Sequence, residues 1–168
     1  MNRIFAFDEP PALPDDALLQ RYRDEGAYTD CFALDVPGQV GHAAYVEAFY
    51  TTAVFKLERL LLAWLAGCPS RDAEACELAT GRRAQFAAWA VEARAPGQLL
   101  MCDLSGSTRS WLMVAAAPHG TRLYFGSAVV RSRQGGAFRA LLGFHKLYSR
   151  VLLRAAAARL RRSAPNKG

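Results

Sequence analysis

Apolar residues recur every three or four positions in several parts of the chain, a spacing that predicts amphipathic helices. The clearest run covers residues 42–65, where Thr51 and Thr52 predict a kink or a break into two helices. The predicted helices span residues 15–23, 42–65, 70–80 and 138–162. The last is long and apolar along one side, so that side is expected to pack against the rest of the protein.

Elsewhere the spacing of apolar residues changes to two, which is typical of half-buried strands. The predicted strands span residues 28–36, 85–94, 98–104, 108–116 and 121–132. Short segments containing Pro or Gly separate the last four, at 95–97, 105–107 and 118–120. Such short connections join antiparallel neighbours, because parallel strands need a long crossover. The sequence therefore predicts an α+β fold with an antiparallel meander.

Folding these hairpins at their turns predicts which side chains share a face of the sheet. One face is expected to look inward at the helices and to carry Trp89, Val91, Leu99, Met101, Trp111, Met113, Leu123, Phe125 and Val129. The opposite face is expected to carry Glu92, Arg94, Gln98, Thr108, Ser110, Arg122 and Tyr124. The first face is almost entirely apolar, so it is the expected wall of the interior.

The same register places Asp103 opposite Arg109, near the end of that apolar face. Two interpretations of this charge pair remain open. It is either a salt bridge at the exposed rim of a hairpin, which would stabilise the protein little, or a polar anchor at the mouth of a hydrophobic pocket.

The length and composition of the chain fit a single globular domain. A chain of 168 residues, of which 52% are hydrophobic and 21% charged, can bury a substantial core and does not resemble a disordered protein. It contains no internal repeat and no low-complexity linker. We interpret residues 1–26 as an N-terminal appendage, 27–162 as one domain and 163–168 as a disordered tail.

No sequence feature indicates secretion, membrane insertion, a metal or a nucleotide cofactor. The N-terminus lacks the apolar run of a signal peptide, and the most apolar stretch, residues 60–66, is far shorter than the roughly 20 residues that cross a bilayer. The four cysteines have neither metal-ligand nor disulfide-framework spacing, and no glycine-rich phosphate loop is present. A cytoplasmic protein with reduced thiols and no cofactor is expected.

No catalytic motif is visible in the sequence, so enzymatic activity stays open. A nucleophile-elbow pattern is absent. The carboxylates that could supply a general base form no recognisable metal or carboxylate pair motif; they are Asp30, Asp35, Glu47, Glu58 and Asp103. His145 on the last helix is the least implausible acid–base candidate, although a packing or capping role is more typical of such a histidine.

Basic residues form a stripe on the last predicted helix, and the chain has a net charge of +6. At helical spacing the stripe comprises Arg139, Lys146, Arg150, Arg154 and Arg161. It is either the solvated face of an amphipathic helix or a surface for anionic lipid headgroups. Nucleic acid is not expected as a partner, because no zinc finger or RNA-binding motif accompanies the stripe.

The order of elements resembles the helix-grip fold of the SRPBCC superfamily, which includes START-type lipid carriers and birch-pollen-allergen-like proteins. The resemblance covers residues 28–162 and rests on AFYTTAVFKLERLL, on TRSWLMV, and on LYFGSAVV followed by GAFRALLGFHKLYSRVLLRAAAARL. The closing passage is most similar to uncharacterised bacterial members. The resemblance implies a curved antiparallel sheet packed against a long C-terminal helix, with two or three further helices near the N-terminus.

The resemblance also implies a cavity between the sheet and the C-terminal helix, which would hold a small hydrophobic or amphipathic ligand. The candidate ligand-binding residues are Trp89, Met101, Asp103, Arg109, Trp111, Met113, Phe125, His145 and Tyr148. One alternative is a non-catalytic interaction module whose basic C-terminal helix meets a membrane surface or a protein partner. Another is an enzyme of the cyclase or isomerase type. A monomer or a homodimer is expected.

Overall fold

The computed structural model describes residues 11–130 and 136–163, without the side chains of residues 61–63, 65–66, 136–146 and 163. The helices are α1 (Gln20–Asp24), α2 (His42–Tyr50), α3 (Ala53–Ala66), α4 (Asp72–Ala79) and α5 (Gly136–Ser163). The strands are β1 (Tyr28–Pro37), β2 (Gln85–Phe86), β3 (Trp89–Ala95), β4 (Gln98–Asp103), β5 (Thr108–Ala117) and β6 (Gly120–Val129). Apart from Ser163, where α5 ends, the predicted tail lies outside the described residues.

The predicted α+β content is confirmed, with a curved, six-stranded antiparallel sheet on which the C-terminal helix packs. The strand order is β1-β6-β5-β4-β3-β2, so β3 to β6 form the expected meander. β1 lies at the edge of the sheet, beside β6. β1 pairs with β6 from Tyr28 opposite Val129 to Pro37 opposite Gly120. The single strand predicted over 85–94 is two strands, separated at Ala87, whose φ of 50° is left-handed.

The predicted break at Thr51 and Thr52 is also confirmed, since α2 and α3 are separate helices. The Thr51 hydroxyl donates a hydrogen bond to the Glu47 carbonyl at 2.7 Å, at the end of α2. The Thr52 hydroxyl accepts one from the Phe55 N–H at 3.2 Å and so caps α3. None of the described helices has the length and apolarity that a bilayer span requires.

Helices α2 to α5 cover one face of the sheet, called here the inner face. Its apolar rows include Leu34, Leu99, Leu112 and Leu123, all buried against helical side chains. The rings of Phe49 on α2 and Phe125 on β6 lie 4.9 Å apart between centroids. On α5, Leu152, Leu153, Ala156 and Ala157 belong to the same cluster. This layer is the larger of the two cores.

Residues 11–26 cover the other face of the sheet, called here the outer face. Leu13, Ala17, Leu19 and Tyr22 form a second core there with side chains such as Leu100 and Trp111. The Gln98 side-chain oxygen accepts hydrogen bonds from the Trp111 indole N–H and the Leu18 backbone N–H, both at 2.9 Å. Its amide nitrogen donates to the Asp16 carbonyl at 3.0 Å. The segment predicted as an appendage is therefore joined to the sheet by buried polar contacts.

The predicted face of Trp111 and Met113 is wrong, because both side chains lie on the outer face. Leu100 is opposite Trp111, whereas the predicted register has Met101 there. The β4–β5 connection is one residue longer than predicted, since the Asp103 carboxylate accepts hydrogen bonds from the N–H groups of Ser107 and Thr108 at 2.7 and 2.9 Å. A slip of one residue moves every side chain of a strand to the other face. Thr108 and Ser110 consequently belong to the inner face. Arg94 also belongs to it, because β3 has a bulge between Val91 and Ala93.

The predicted pairing of Asp103 with Arg109 is wrong for the same reason. Arg109 lies opposite Cys102 and points to the outer face, where its Nε is 2.5 Å from a Glu92 carboxylate oxygen. The Tyr22 hydroxyl also accepts a hydrogen bond from Arg109 Nε at 2.8 Å. Arg109 thus links the N-terminal segment to the bulged strand β3, and Asp103 holds a turn.

The contacts of Gln98 predict that the N-terminal segment contributes to global stability. Gln98→Ala is expected to lower the free energy of unfolding by about 2–4 kcal/mol, because it leaves buried N–H groups of Trp111 and Leu18 without acceptors. Urea denaturation measures this, with Gln85→Ala on the exposed edge strand as the control. Equal stabilities of the two variants would contradict a structural role for the segment.

Candidate functional site

The inner face of the sheet changes from apolar to polar toward the end where β1 begins. One row across five strands consists of Asp30, Ser127, Ser110, Met101 and Val91. The Ser127 hydroxyl donates a hydrogen bond to an Asp30 carboxylate oxygen at 2.6 Å. The next row on the core side is Phe32, Phe125, Leu112, Leu99 and Arg94. Polar groups therefore lie directly beside the main core, under the helices.

A carboxylate and a phenol meet above this sheet, between α3 and α5. The Tyr148 hydroxyl donates a hydrogen bond to Glu58, and both side chains are half-buried. Burial raises the pKa of the Glu58 carboxyl above its ordinary value, and the hydrogen bond from Tyr148 opposes that shift only in part. Burial, followed by the hydrogen bond to Glu58, raises the pKa of Tyr148 far above its ordinary value. The Glu58 carboxyl group therefore lies in a poorly hydrated environment.

Tyr50 on α2 adds a second desolvated polar group. Its side chain is buried, and its hydroxyl has no hydrogen-bond partner among the described residues. Its pKa is raised strongly by burial and then by the negative charge of Glu58, while the positive charge of Arg94 opposes the shift. Arg94 reaches the same region from β3 and donates a hydrogen bond to the Leu78 carbonyl at 2.6 Å. The charges of Glu58 and Arg94 therefore both act on Tyr50.

Aromatic rings surround these polar groups. Phe55 on α3 lies between the Tyr50 ring, at 4.9 Å, and the Trp89 ring, at 5.7 Å between centroids. Phe86 on β2 is 5.2 Å from Tyr50. Tyr50, Phe55, Glu58, Phe86, Trp89, Arg94 and Tyr148 are together called the Glu58 site. It combines flat apolar surfaces with a strong hydrogen-bond acceptor, which is the usual composition of small-molecule sites.

A separate cleft of about 340 Å³ runs along the edge strand β1. Its lining includes Leu13 and Arg23 from the N-terminal segment, residues 28–32 of β1, and Arg150 of α5. The Arg150 guanidinium lies over the Phe32 ring, 5.5 Å from its centroid. Burial and the nearby Asp30 carboxylate raise the pKa of the Cys31 thiol to about 12, so this thiol is protonated and unreactive at neutral pH. The cleft contains none of the predicted ligand-binding residues.

The predicted ligand-binding residues do not converge on one place. Those on the inner face or above it are Trp89, Met101, Phe125 and Tyr148, whereas Arg109, Trp111 and Met113 lie on the outer face. Trp89 and Tyr148 belong to the Glu58 site. The Asp103 carboxylate is engaged in hydrogen bonds within the β4–β5 turn. The side chain of His145 lies outside the described residues.

The predicted basic stripe is described only in its second half. Arg150 and Arg154 are exposed, and Arg161 is partly buried. The side chains of Arg139 and Lys146 lie outside the described residues. The exposure of Arg150 and Arg154 fits both interpretations of the stripe.

Glu58 and Tyr50 were not among the predicted site residues. Glu58 follows Phe55 by three positions and Val54 by four, so it lies on the same side of α3 as these core residues. A charged residue at an apolar position of a helix is the signal that could have identified it. Tyr50 gives no such signal, because a tyrosine in a core is common.

Comparison with known proteins gives no assignment for the chain: no family model, curated protein or solved structure matches it. Within residues 11–130 and 136–163, no three side chains are grouped as metal ligands. The candidate site therefore rests on the geometry and the electrostatics of the Glu58 site.

The raised pKa of Glu58 predicts a specific dependence of stability on pH. A carboxyl with a raised pKa in the folded protein is costly once ionised, so stability is lost as the pH rises from the ordinary value of 4.5 through the folded value. Glu58→Gln removes this cost. Its melting temperature is expected to exceed that of the wild type by an amount that grows as the pH rises from 4.5 to the folded pKa of Glu58 and stays constant above it.

Thermal melting from pH 4 to pH 8 measures the difference. Glu47→Gln is the matched control, since Glu47 is exposed on α2. Parallel pH profiles of the wild type and Glu58→Gln would contradict the desolvation of Glu58.

Proposed function

We propose that this chain is a cytoplasmic helix-grip protein of the SRPBCC type that binds a small amphipathic ligand between the sheet and the helices, at the Glu58 site. The observation that carries the proposal is a desolvated carboxylate, Glu58, whose charge acts on the buried Tyr50 hydroxyl, with aromatic rings beside them. Among the described residues, that hydroxyl has no hydrogen-bond partner. The α+β architecture with a C-terminal helix packed on a curved sheet agrees with this fold type.

The Glu58 site is costly for folding, which supports a role other than stability. A buried hydroxyl without a partner costs about 1–3 kcal/mol, and a carboxylate with a raised pKa is less stable in the fold than in water. Proteins commonly retain such costs at binding and catalytic sites. A ligand that brings its own hydrogen-bonding groups would offset both.

The chemistry of the Glu58 site restricts the class of ligand. The carboxyl oxygens of Glu58 accept hydrogen bonds, so the ligand is expected to carry a hydroxyl or a protonated amine. The rings of Phe55, Phe86 and Trp89 offer flat apolar surface to the remainder of the ligand. Glu58, Trp89 and Tyr148 are half-buried, so part of each side chain is open to solvent.

The raised pKa of Glu58 favours a second candidate function, an isomerase or cyclase activity. A carboxylate whose pKa is raised above its ordinary value is a stronger general base than an ordinary one. In that case Glu58 would accept a proton from a bound substrate, with Tyr148 as its hydrogen-bond partner. Recovery of a chemically altered ligand after incubation would favour this activity over simple binding.

Native mass spectrometry of the purified protein tests the proposal. A stoichiometric lipophilic molecule is expected, identified after denaturation. The dissociation constant of that molecule is expected to rise at least about tenfold in Glu58→Gln, because one charge-assisted hydrogen bond contributes about 1.5–3 kcal/mol, and occupancy falls accordingly, while Glu47→Gln keeps the wild-type affinity.

Two methionines provide a second matched pair for the same measurement. Met101 lies on the inner face opposite Val91, which lies between Trp89 and Arg94 of the Glu58 site, whereas Met113 lies on the outer face. Truncation of either to alanine is expected to cost about 2–5 kcal/mol of stability. The measurement is made at a temperature at which both variants are folded. Met101→Ala is then expected to reduce ligand occupancy, whereas Met113→Ala is expected to leave it unchanged. Equal occupancy in all four variants would overturn the proposal.

A further inference from the structure

We propose that the exposed sides of α3 and α5 form a docking face for an anionic lipid surface. This inference is independent of the Glu58 site as a ligand site, because it rests on exposed side chains that are not part of that site. The docking face comprises Leu57, Leu60, Trp64, Leu147, Arg150, Val151 and Arg154.

The α3 part of the docking face is an apolar stripe. Leu57, Leu60 and Trp64 are spaced by three and four residues, so they lie on one side of the helix. Their exposed fractions are 60%, 66% and 83%. Large apolar side chains that are grouped and exposed to this degree mark interaction surfaces, whereas scattered ones need no explanation. Tryptophan in particular suits the boundary between headgroups and acyl chains.

The α5 part of the docking face alternates apolar and cationic residues. Leu147, Arg150, Val151 and Arg154 follow the three-to-four spacing of one helical side, and all four are exposed. A leucine that is 62% exposed beside arginines resembles the polar–apolar border of helices that lie in a membrane interface. The long arginine side chains can keep their charge at headgroup level while their apolar stems contact lipid.

The two parts lie on neighbouring helices. Leu57 precedes Glu58 and Leu147 precedes Tyr148, and the hydrogen bond between Glu58 and Tyr148 joins α3 to α5. Leu57 and Leu147 therefore lie beside this contact, on adjacent helices.

The charge distribution favours an anionic lipid surface as the partner that binds the docking face. All 15 acidic residues lie in residues 1–103, whereas residues 104–168 contain 12 Lys and Arg. α5 itself has seven basic residues and no acidic one. A second copy of the chain would bring the same basic helix against itself, because a symmetric dimer pairs identical surfaces, and like charges oppose that contact. Anionic lipids attract it, by about 1 kcal/mol for each basic side chain near the surface.

Co-sedimentation with vesicles tests the docking face. The full chain is expected to bind phosphatidylcholine vesicles containing 30% phosphatidylglycerol and to bind pure phosphatidylcholine only weakly, with the difference lost in high salt. Trp64→Ser and Arg154→Glu are each expected to weaken binding to the anionic vesicles about fivefold or more.

Two control variants match these substitutions. Leu104→Ser removes a comparably exposed apolar side chain at the β4–β5 turn, and Arg82→Glu reverses an exposed charge after α4. Both are expected to bind like the wild type. Circular dichroism of each variant verifies that it is folded.

Three outcomes would overturn the inference. They are the absence of binding of the wild type to the anionic vesicles, equal losses in the test and control variants, and concentration-dependent dimerisation that Trp64→Ser abolishes. The last would identify a second copy of the chain as the occupant.

Discussion

Apolar side chains on both faces of the central strands require that both faces of the sheet be covered. Leu99 and Met101 on one side of β4 and Leu100 on the other are all fully buried. Helices α2 to α5 cover the inner face and residues 11–26 cover the outer face. This arrangement places helices above the polar end of the inner face. The Glu58 site lies there, between these helices and the sheet.

The elements were predictable from the sequence, but the register of one hairpin was not. Helical and strand spacing predicted nearly every element, including the break at Thr51 and Thr52, because these patterns are local. With apolar residues on both faces of β5, however, alternation does not distinguish Trp111 from Leu112 as the inward residue. The hydrogen bonds from the Asp103 carboxylate fix the length of the β4–β5 turn and so determine which residue of β5 points inward. These hydrogen bonds are not visible in the spacing of apolar residues.

The candidate site was predictable only in part for a related reason. Tyr148 and Trp89 stand out as large residues on predicted inner surfaces, whereas the importance of Glu58 depends on three helices and two strands meeting at one place. The same helices that carry Glu58 and Tyr148 also carry the docking face. If both proposals hold, a ligand held at the Glu58 site would lie directly behind the surface that meets lipid.

The most direct test of the Glu58 site is a carbon-13 NMR titration of the Glu58 carboxyl, before and after addition of the molecule released from the protein. The account predicts a pKa above the ordinary value of 4.5 in the ligand-free protein and a shift of the carboxyl resonance when the molecule is added. An ordinary pKa and a resonance that the molecule leaves unchanged would contradict it.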